Sequence, residues 1–190
     1  MANRMHVLGV AGSLRSGSYN KALLRAAAEL LPEGMTLEIF DIAPIPLYNE
    51  DVELAGWPAS VRAFRERIAA ADALLIATPE YNYSIPGILK NAIDWASRPP
   101  EPPLAKKPVA IMGASNGGFG TVRSQHHLRQ VLVTTNMRPI QKPELMVSVV
   151  QNKIDAAGRL TDEKTREALR GLLEALAAWV EQLRSTRPTT

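Results

Sequence analysis

Met5-His6-Val7-Leu8-Gly9-Val10-Ala11, running straight into Gly12-Ser13-Leu14-Arg15-Ser16-Gly17-Ser18-Tyr19-Asn20, decides how the rest of the chain is read. The first seven residues are apolar except for His6 and are too few for a core helix, so they read as a buried strand. The nine that follow are rich in Gly and Ser and read as a loop. Beyond them, Leu23, Leu24, Ala27, Leu30 and Leu31 fall on one helical face, which predicts a helix from Tyr19 to Leu31, ended by Pro32 and Gly34.

The same strand, loop and helix order repeats along the chain. Met35 to Phe40 reads as a second strand, followed by the proline-rich loop DIAPIPLYNEDVE. A helix from Pro58 to Ala70 places Val61, Phe64, Ile68 and Ala71 on one face. Asp72 to Thr78 is a third strand, and Pro86 opens a helix that runs through ILKNAIDWAS to the break RPPEPP. Pro108 to Ala114 is a fourth strand, Thr121 to Thr135 a fourth helix, and Glu144 to Val149 a fifth strand. Thr161, Asp162 and Glu163 start a last helix with Leu169, Leu172, Leu173, Leu176, Val180 and Leu183 on its apolar face, and the tail RSTRPTT is expected to fray, residues 186–190 above all. Continuous apolar strands alternating with amphipathic helices specify an α/β protein with a parallel sheet covered on both faces. Residues 1–190 read as a single domain without internal repeats.

Composition narrows the chemistry. The 190 residues include no cysteine and three histidines, His6, His126 and His127. Disulfides, thiolate metal sites and a cysteine nucleophile are excluded, and adjacent histidines on a helix point about 100° apart, so no metal site is expected. A bound organic cofactor is left to carry any redox chemistry. With 22 Lys and Arg against 19 Asp and Glu, the net charge of +3 is spread along the chain, which argues against a nucleic-acid partner. The first ten residues carry neither a secretion signal nor a transit sequence, and no apolar stretch is long enough to span a bilayer, so a cytoplasmic protein is expected.

Doubly wound sheets bind ligands at the carboxyl ends of their strands, which directs attention to the loops after strands one, three and four. The first, Gly12 to Asn20, has the makings of a phosphate cradle: helix N-terminal amides, hydroxyl and amide donors from Ser13, Ser16, Ser18 and Asn20, and the guanidinium of Arg15. It lacks both the glycine spacing of a dinucleotide fingerprint and the Gly-Lys-Ser/Thr of a Walker loop. The second, Pro79-Glu80-Tyr81-Asn82-Tyr83-Ser84-Ile85-Pro86, offers a flat aromatic wall with polar tips. The third, Ser115-Asn116-Gly117-Gly118-Phe119-Gly120, lets backbone amides approach a ligand closely. A phosphate site, a planar wall and close backbone donors on one edge match a mononucleotide with a planar ring, flavin mononucleotide (FMN) being the obvious candidate.

In GSLRSGSYN (12–20), PEYNYSIPGILKNAIDW (79–95), the glycine loop at 115–120, HLRQ (127–130) and KPE (142–144), the chain resembles the NAD(P)H-dependent FMN reductase family. This flavodoxin-like group includes quinone, chromate and azo-dye reductases. The resemblance implies a five-stranded sheet of order 2-1-3-4-5. It implies that Ser13, Arg15, Ser18, Tyr19 and Asn20 hold the FMN phosphate, that Pro79, Glu80, Tyr81, Asn82 and Tyr83 border the isoalloxazine largely through backbone groups, and that Ser115, Gly117 and Gly118 lie beside the ring and ribityl chain. It also implies a homodimer or homotetramer with the flavin near a subunit interface, where Arg129, Glu144 and Tyr83 can make polar contacts. The implied chemistry is hydride transfer from NADPH or NADH to flavin N5, then reduction of an acceptor on the same ring face, with no side chain acting as acid, base or nucleophile.

Two other readings use the same residues. Gly113-Ala114-Ser115-Asn116-Gly117 satisfies the G-x-S-x-G pattern of a serine hydrolase, yet no Asp or Glu separates Ser115 from His126 and His127, as the order serine, acid, histidine requires. A flavodoxin-type electron carrier would bind FMN without nicotinamide activity; such carriers tend to be acidic, whereas this chain is slightly basic.

Overall fold

In the computed structural model, which describes residues 4–186, β1 (Met5–Ala11) lies between β2 (Met35–Phe40) and β3 (Ala73–Ala77), and β3 pairs with β4 (Pro108–Ala114). All pairings are parallel, and the order 2-1-3-4-5 is the expected one. The outer position beside β4 is shared by two short pieces, β5 (Arg138–Pro139) and β6 (Leu145–Val147), where one strand from Glu144 to Val149 was expected. Pro108 lies opposite Arg138, 30 residues on, whereas Met112 lies opposite Leu145, 33 residues on, so three extra residues loop out of the edge. Pro139 and Pro143 have no N–H to give the ladder, which is why the edge strand breaks here.

Two layers of helices cover the sheet. α1 (Tyr19–Glu29) and α6 (Glu163–Ser185) pack on one face; α3 (Ala59–Ala70), α4 (Gly87–Ala96) and α5 (Val122–Thr134) pack on the other. Strand alternation sorts the core. Val7, Leu75 and Met112 bury against α1 and α6, while Leu8, Leu74, Ile76 and Ile111 bury against α3, α4 and α5. Capping holds the helix starts in place: Ser18 accepts the Lys21 N–H at 3.4 Å, and the Asp162 carboxylate accepts the Thr165 N–H at 2.8 Å.

Three local differences from the sequence reading have physical causes. The stretch expected as loop contains α2 (Glu50–Ala55), which buries no side chain and so leaves no apolar periodicity to detect. Its support is polar: Asn49 accepts the Asp51 N–H at 2.9 Å, Glu50, Asp51 and Glu53 line the first turn, and Tyr48 and Arg98 both donate to Glu53, at 2.8 and 3.0 Å. The RPPEPP break after α4 is held by Arg65, whose guanidinium donates to the carbonyls of Trp95, Ala96, Arg98 and Pro100 and lies 4.1 Å from the Trp57 ring centre. Burial in this carbonyl cage lowers the pKa of Arg65. At the other terminus α6 runs to Ser185, and Arg184, the first residue of the expected frayed tail, is bonded to Asp72 at 2.6 Å. Thr186 caps the helix, and the remainder of that tail, 187–190, lies outside the described residues.

Candidate functional site

At the carboxyl ends of β1, β3 and β4 the three loops enclose a cavity of about 210 Å³. The first loop contributes Ser13, Arg15, Ser18, Tyr19 and Asn20, the second Pro79, Glu80 and Tyr81, and the third Ser115 with Ala114 and Asn116. Nine of the thirteen residues expected at the site therefore share one cavity wall. Asn82, Tyr83, Gly117 and Gly118 do not line it; Tyr83 stands 68 % exposed at the tip of its turn.

The first loop is built around the start of α1. Ser13 and Ser18 are buried, and Ser18 spends its hydroxyl on the Lys21 N–H. Arg15 is exposed, its guanidinium 5.3 Å from the Tyr19 ring centre, and the Lys21 ammonium reaches the Leu14 carbonyl at 3.4 Å. The loop thus sets the Arg15 cation and the N-terminal end of a helix at one rim of the cavity. Asn20 behaves differently from the expectation that it faces a ligand: its side-chain amide, 2 % exposed, donates to the Ala114 carbonyl and accepts the Ala114 N–H. Such a two-point contact uses one donor and the acceptor of the amide within the protein.

The second loop is fastened to α5. Glu80 accepts the backbone N–H of Arg123 at 3.0 Å and of Ser124 at 3.3 Å, and its carboxylate pairs with the Arg123 guanidinium. It therefore caps a helix whose own N-cap, Thr121, sits in the left-handed region and makes no side-chain cap. Thr78 and Ser124 both donate to the Pro79 carbonyl, at 2.9 and 2.8 Å, and His127 Nδ1 lies 3.1 Å from the Ser84 hydroxyl. The Glu80 side chain is thus committed to the protein.

The third loop depends on two glycines. A Cβ on Gly113 would sit 1.9 Å from Thr121 Oγ1 and 2.5 Å from the Thr78 carbonyl; one on Gly120, at φ 55°, would meet the Met146 backbone at 2.6 Å. Close packing at both points lets the loop run flat along β6, where Ser115 donates its N–H to Val147 O and Gly117 O accepts from Val149. Gly117 and Gly118 are exposed, with open space where a side chain would be.

The nucleophile-elbow pattern does not form that device. Six residues separate Ser115 from the start of α5, the Ser115 hydroxyl donates to Gly117 O at 3.3 Å, and its backbone is outside the left-handed region. His127 is engaged with Ser84, and His126 lies 3.8 Å from Glu144. Among the described residues no group of three or more His, Asp or Glu side chains is arranged to hold a metal, and no helix is long and apolar enough to cross a membrane.

Of the residues implied at a subunit interface, Arg129 donates to its own chain's Ile140 carbonyl at 3.0 Å. Glu144 accepts from Lys142 at 2.6 Å, and that bond, reinforced by the charge of Arg129, holds its carboxyl below the usual range. Sequence reading gave no role to Arg123, Thr78, Phe119 or Thr121: Arg123 and Thr78 find Glu80 and Ser124 more than 40 residues away, while Phe119 and Thr121 meet Arg123 and Gln125 one helical turn on, a spacing that by itself signals no site.

A doubly wound sheet of this order, opening a polar cleft at its carboxyl edge, defines a flavodoxin-like protein. The chain belongs to the NADPH-dependent FMN reductase family, whose family model matches residues 5–152. An NAD(P)H-dependent FMN reductase of Pseudomonas aeruginosa is 60 % identical over 97 % of this chain and 100 % of its own length. The quinone reductase of Escherichia coli K12 is 44 % identical over 97 % and 100 %. Among solved structures, a flavoenzyme NAD(P)H:(acceptor) oxidoreductase of Paracoccus denitrificans superposes with a TM-score of 0.86 at 36 % identity, covering 94 % of this chain and 98 % of the other. Family membership makes this protein an oxidoreductase that works with FMN and a reduced nicotinamide.

Proposed function

We propose that the three-loop cavity seats FMN and that the protein passes reducing equivalents from NADPH or NADH to a quinone. One observation carries this reading: a single cavity joins a helix N-terminus carrying Ser13, Arg15 and Ser18 to Pro79, Glu80 and Tyr81 of the second loop and to Ser115 and Asn116 of the third. That donor set suits the group. A phosphate needs N–H and O–H donors and a cation, which the first loop supplies; a planar ring needs a flat wall and main-chain donors, which the second and third supply.

The residues divide the work. Ser13, Arg15, Ser18 and the N-terminal amides of α1, from Tyr19 and Asn20 onward, would hold the phosphate. Pro79, Glu80, Tyr81, Asn82 and Tyr83 would border the ring through main-chain groups, with Ser115, Gly117 and Gly118 on its other flank. FMN, when bound, supplies the redox chemistry, accepting two electrons from the nicotinamide and returning them to the acceptor. The protein orients donor and acceptor in turn at the open mouth of the cleft and offers fixed amide dipoles to negative charge that develops there. No side chain of the site needs to act as acid, base or nucleophile in this reading.

A quinone is the favoured acceptor because three curated relatives at 44–50 % identity are named quinone reductases or oxidoreductases. Chromate and azo dyes are smaller or bulkier candidates for the same mouth. The donor, a reduced nicotinamide, is a cytoplasmic reductant, so we assign the reaction to the cytoplasm. We also read the chain as one domain that works as a homodimer or homotetramer, a reading light scattering tests directly.

The decisive experiment reconstitutes the purified protein with FMN, bleaches it anaerobically with NADPH or NADH, and adds 1,4-benzoquinone. Stoichiometric uptake, bleaching and rapid return of the yellow colour are expected. Failure to take up FMN would overturn the reading; uptake without bleaching by either nicotinamide would make the protein an electron carrier.

A further inference from the structure

Asn82 and Tyr83 occupy consecutive left-handed positions, φ 49° and 66°, although neither is glycine. Tyr81 and Ser84 exchange backbone hydrogen bonds of 3.1 and 3.0 Å across them, closing a two-residue turn whose geometry favours Asn-Gly. A bulky aromatic residue at the second position is strained, and such strain persists where the surroundings over-determine it.

The surroundings here are a layered stack. The Arg123 guanidinium lies 3.7 Å from the Tyr83 ring centre and 4.5 Å from that of Phe119, so one cation bridges the loop after β3 and the loop after β4. Behind it, the Glu80 carboxylate holds both the guanidinium and the Arg123 N–H, with the Glu80 side chain only 8 % exposed. The carboxylate is shielded from solvent while the Arg123 side chain is 30 % exposed, so screening of the pair is partial. The stack does not serve this chain's own core, since within the single chain Tyr83 and Phe119 remain 68 % and 65 % exposed. A strained turn, a half-buried ion pair and a guanidinium are spent on presenting two aromatic rings at the surface of the chain, on the loops that build the cleft.

We propose that Glu80 and Arg123 form a positioning pair that fixes Tyr83, backed by Phe119, as the wall on which a planar acceptor rests. Arg123 then tunes acceptor binding through Tyr83 without touching the acceptor or the phosphate cradle. The proposal builds on the FMN reading above and gives the planar acceptor its contact surface. A planar quinone gains from offset stacking on a tyrosine ring, and a ring held by a guanidinium loses less freedom in receiving it.

The test uses the FMN-loaded protein and its Arg123→Gln, Arg123→Lys and Phe119→Ala variants. Three readings are taken: FMN affinity by fluorescence titration, KM and kcat for 1,4-benzoquinone at saturating NADPH, and oligomeric state by light scattering. Both Arg123 variants should raise the quinone KM about fivefold or more, with kcat and FMN affinity held within about twofold. Arg123→Lys should fail to rescue, because it keeps the charge but loses the flat guanidinium. Phe119→Ala, at an exposed position, should shift KM in the same direction by about two- to threefold and guards against a folding failure of the Arg123 variants. An unchanged KM, full rescue by lysine, FMN affinity falling in step with KM, or a change of oligomeric state in place of a KM effect would overturn the proposal. Wild-type protein that does not bind FMN would instead overturn the reading beneath it.

Discussion

Asn20 and Ala114 are joined at two points: the Asn20 amide donates to the Ala114 carbonyl at 3.1 Å and accepts the Ala114 N–H at 3.0 Å. The start of α1 and the end of β4 are thereby locked together beneath the cavity. A residue that looks like a phosphate donor in the sequence is, in the fold, a clamp between the first and third loops. Asn20→Ala leaves two buried main-chain groups without their partner, which costs roughly 2–4 kcal/mol. Urea unfolding should show that loss in the protein without FMN. Unchanged stability accompanied by weaker FMN binding would return Asn20 to the role of ligand.

Arg15 has the opposite profile. It is exposed, and its one ring contact is at 5.3 Å from Tyr19, so little of the fold depends on it. Arg15→Ala should leave the unfolding midpoint unchanged and weaken FMN binding by about 1.5–3 kcal/mol, the worth of a charge-assisted contact to phosphate, or roughly 10- to 150-fold in Kd. Fluorescence titration of the apoprotein measures this. Equal affinity in wild type and variant would remove Arg15 from the cradle.

Much of this architecture is legible because burial leaves a periodic trace. Val7 and Leu8 face opposite helix layers yet both are apolar, so β1 announces itself as a strand covered on two sides. The site loops are legible for a different reason: glycine, serine and proline concentrate where the chain leaves a strand. What stays hidden is polar and distant. Glu80 and Arg123 are 43 residues apart, Asn20 and Ala114 are 94 apart, and neither pairing leaves a local pattern. The short α2 is hidden because it buries nothing, and the broken edge strand because proline signals a loss of pairing without saying where pairing resumes.

At the amino ends of the strands, Asp72 ties α6 to the sheet. Burial alone would raise its pKa, but the His6 N–H at 2.8 Å and the Arg184 guanidinium at 2.6 Å outweigh it, and the net shift is downward. A carboxyl lowered in the folded state stabilises that state above its unfolded pKa of about 3.9, and the contribution disappears as pH falls through the lower folded value. Wild type should therefore lose stability on acidification below about pH 4, and Asp72→Asn should flatten that part of the curve while lowering stability at neutral pH. Thermal unfolding from pH 3 to 7 for both proteins would show it. Parallel curves would mean that Asp72 does not couple folding to protons.

Gly113 decides how closely α5 and the β3 exit can approach β4. Its missing Cβ is the space that Thr121 Oγ1 and the Thr78 carbonyl occupy, at 1.9 and 2.5 Å from where that carbon would lie. Both neighbours are buried, Thr121 at 1 % and Thr78 at 0 % exposure; Thr78 is bonded to Ser124 and Pro79, so it cannot move without breaking the anchorage of the second loop, and the Thr121 hydroxyl accepts from Gln125 within α5. Gly113→Ala should then act on two levels. Overpacking should lower stability by about 1–3 kcal/mol or more, and relief of the clash by displacing α5 should move Arg123 and the Pro79–Tyr83 segment together. Hydrogen exchange should report the second effect as faster exchange at the Arg123 and Ser124 amides that Glu80 now accepts, relative to those of α1. Loss of stability with uniform exchange across both helices would show that the strain spreads through the core and is not directed into the site.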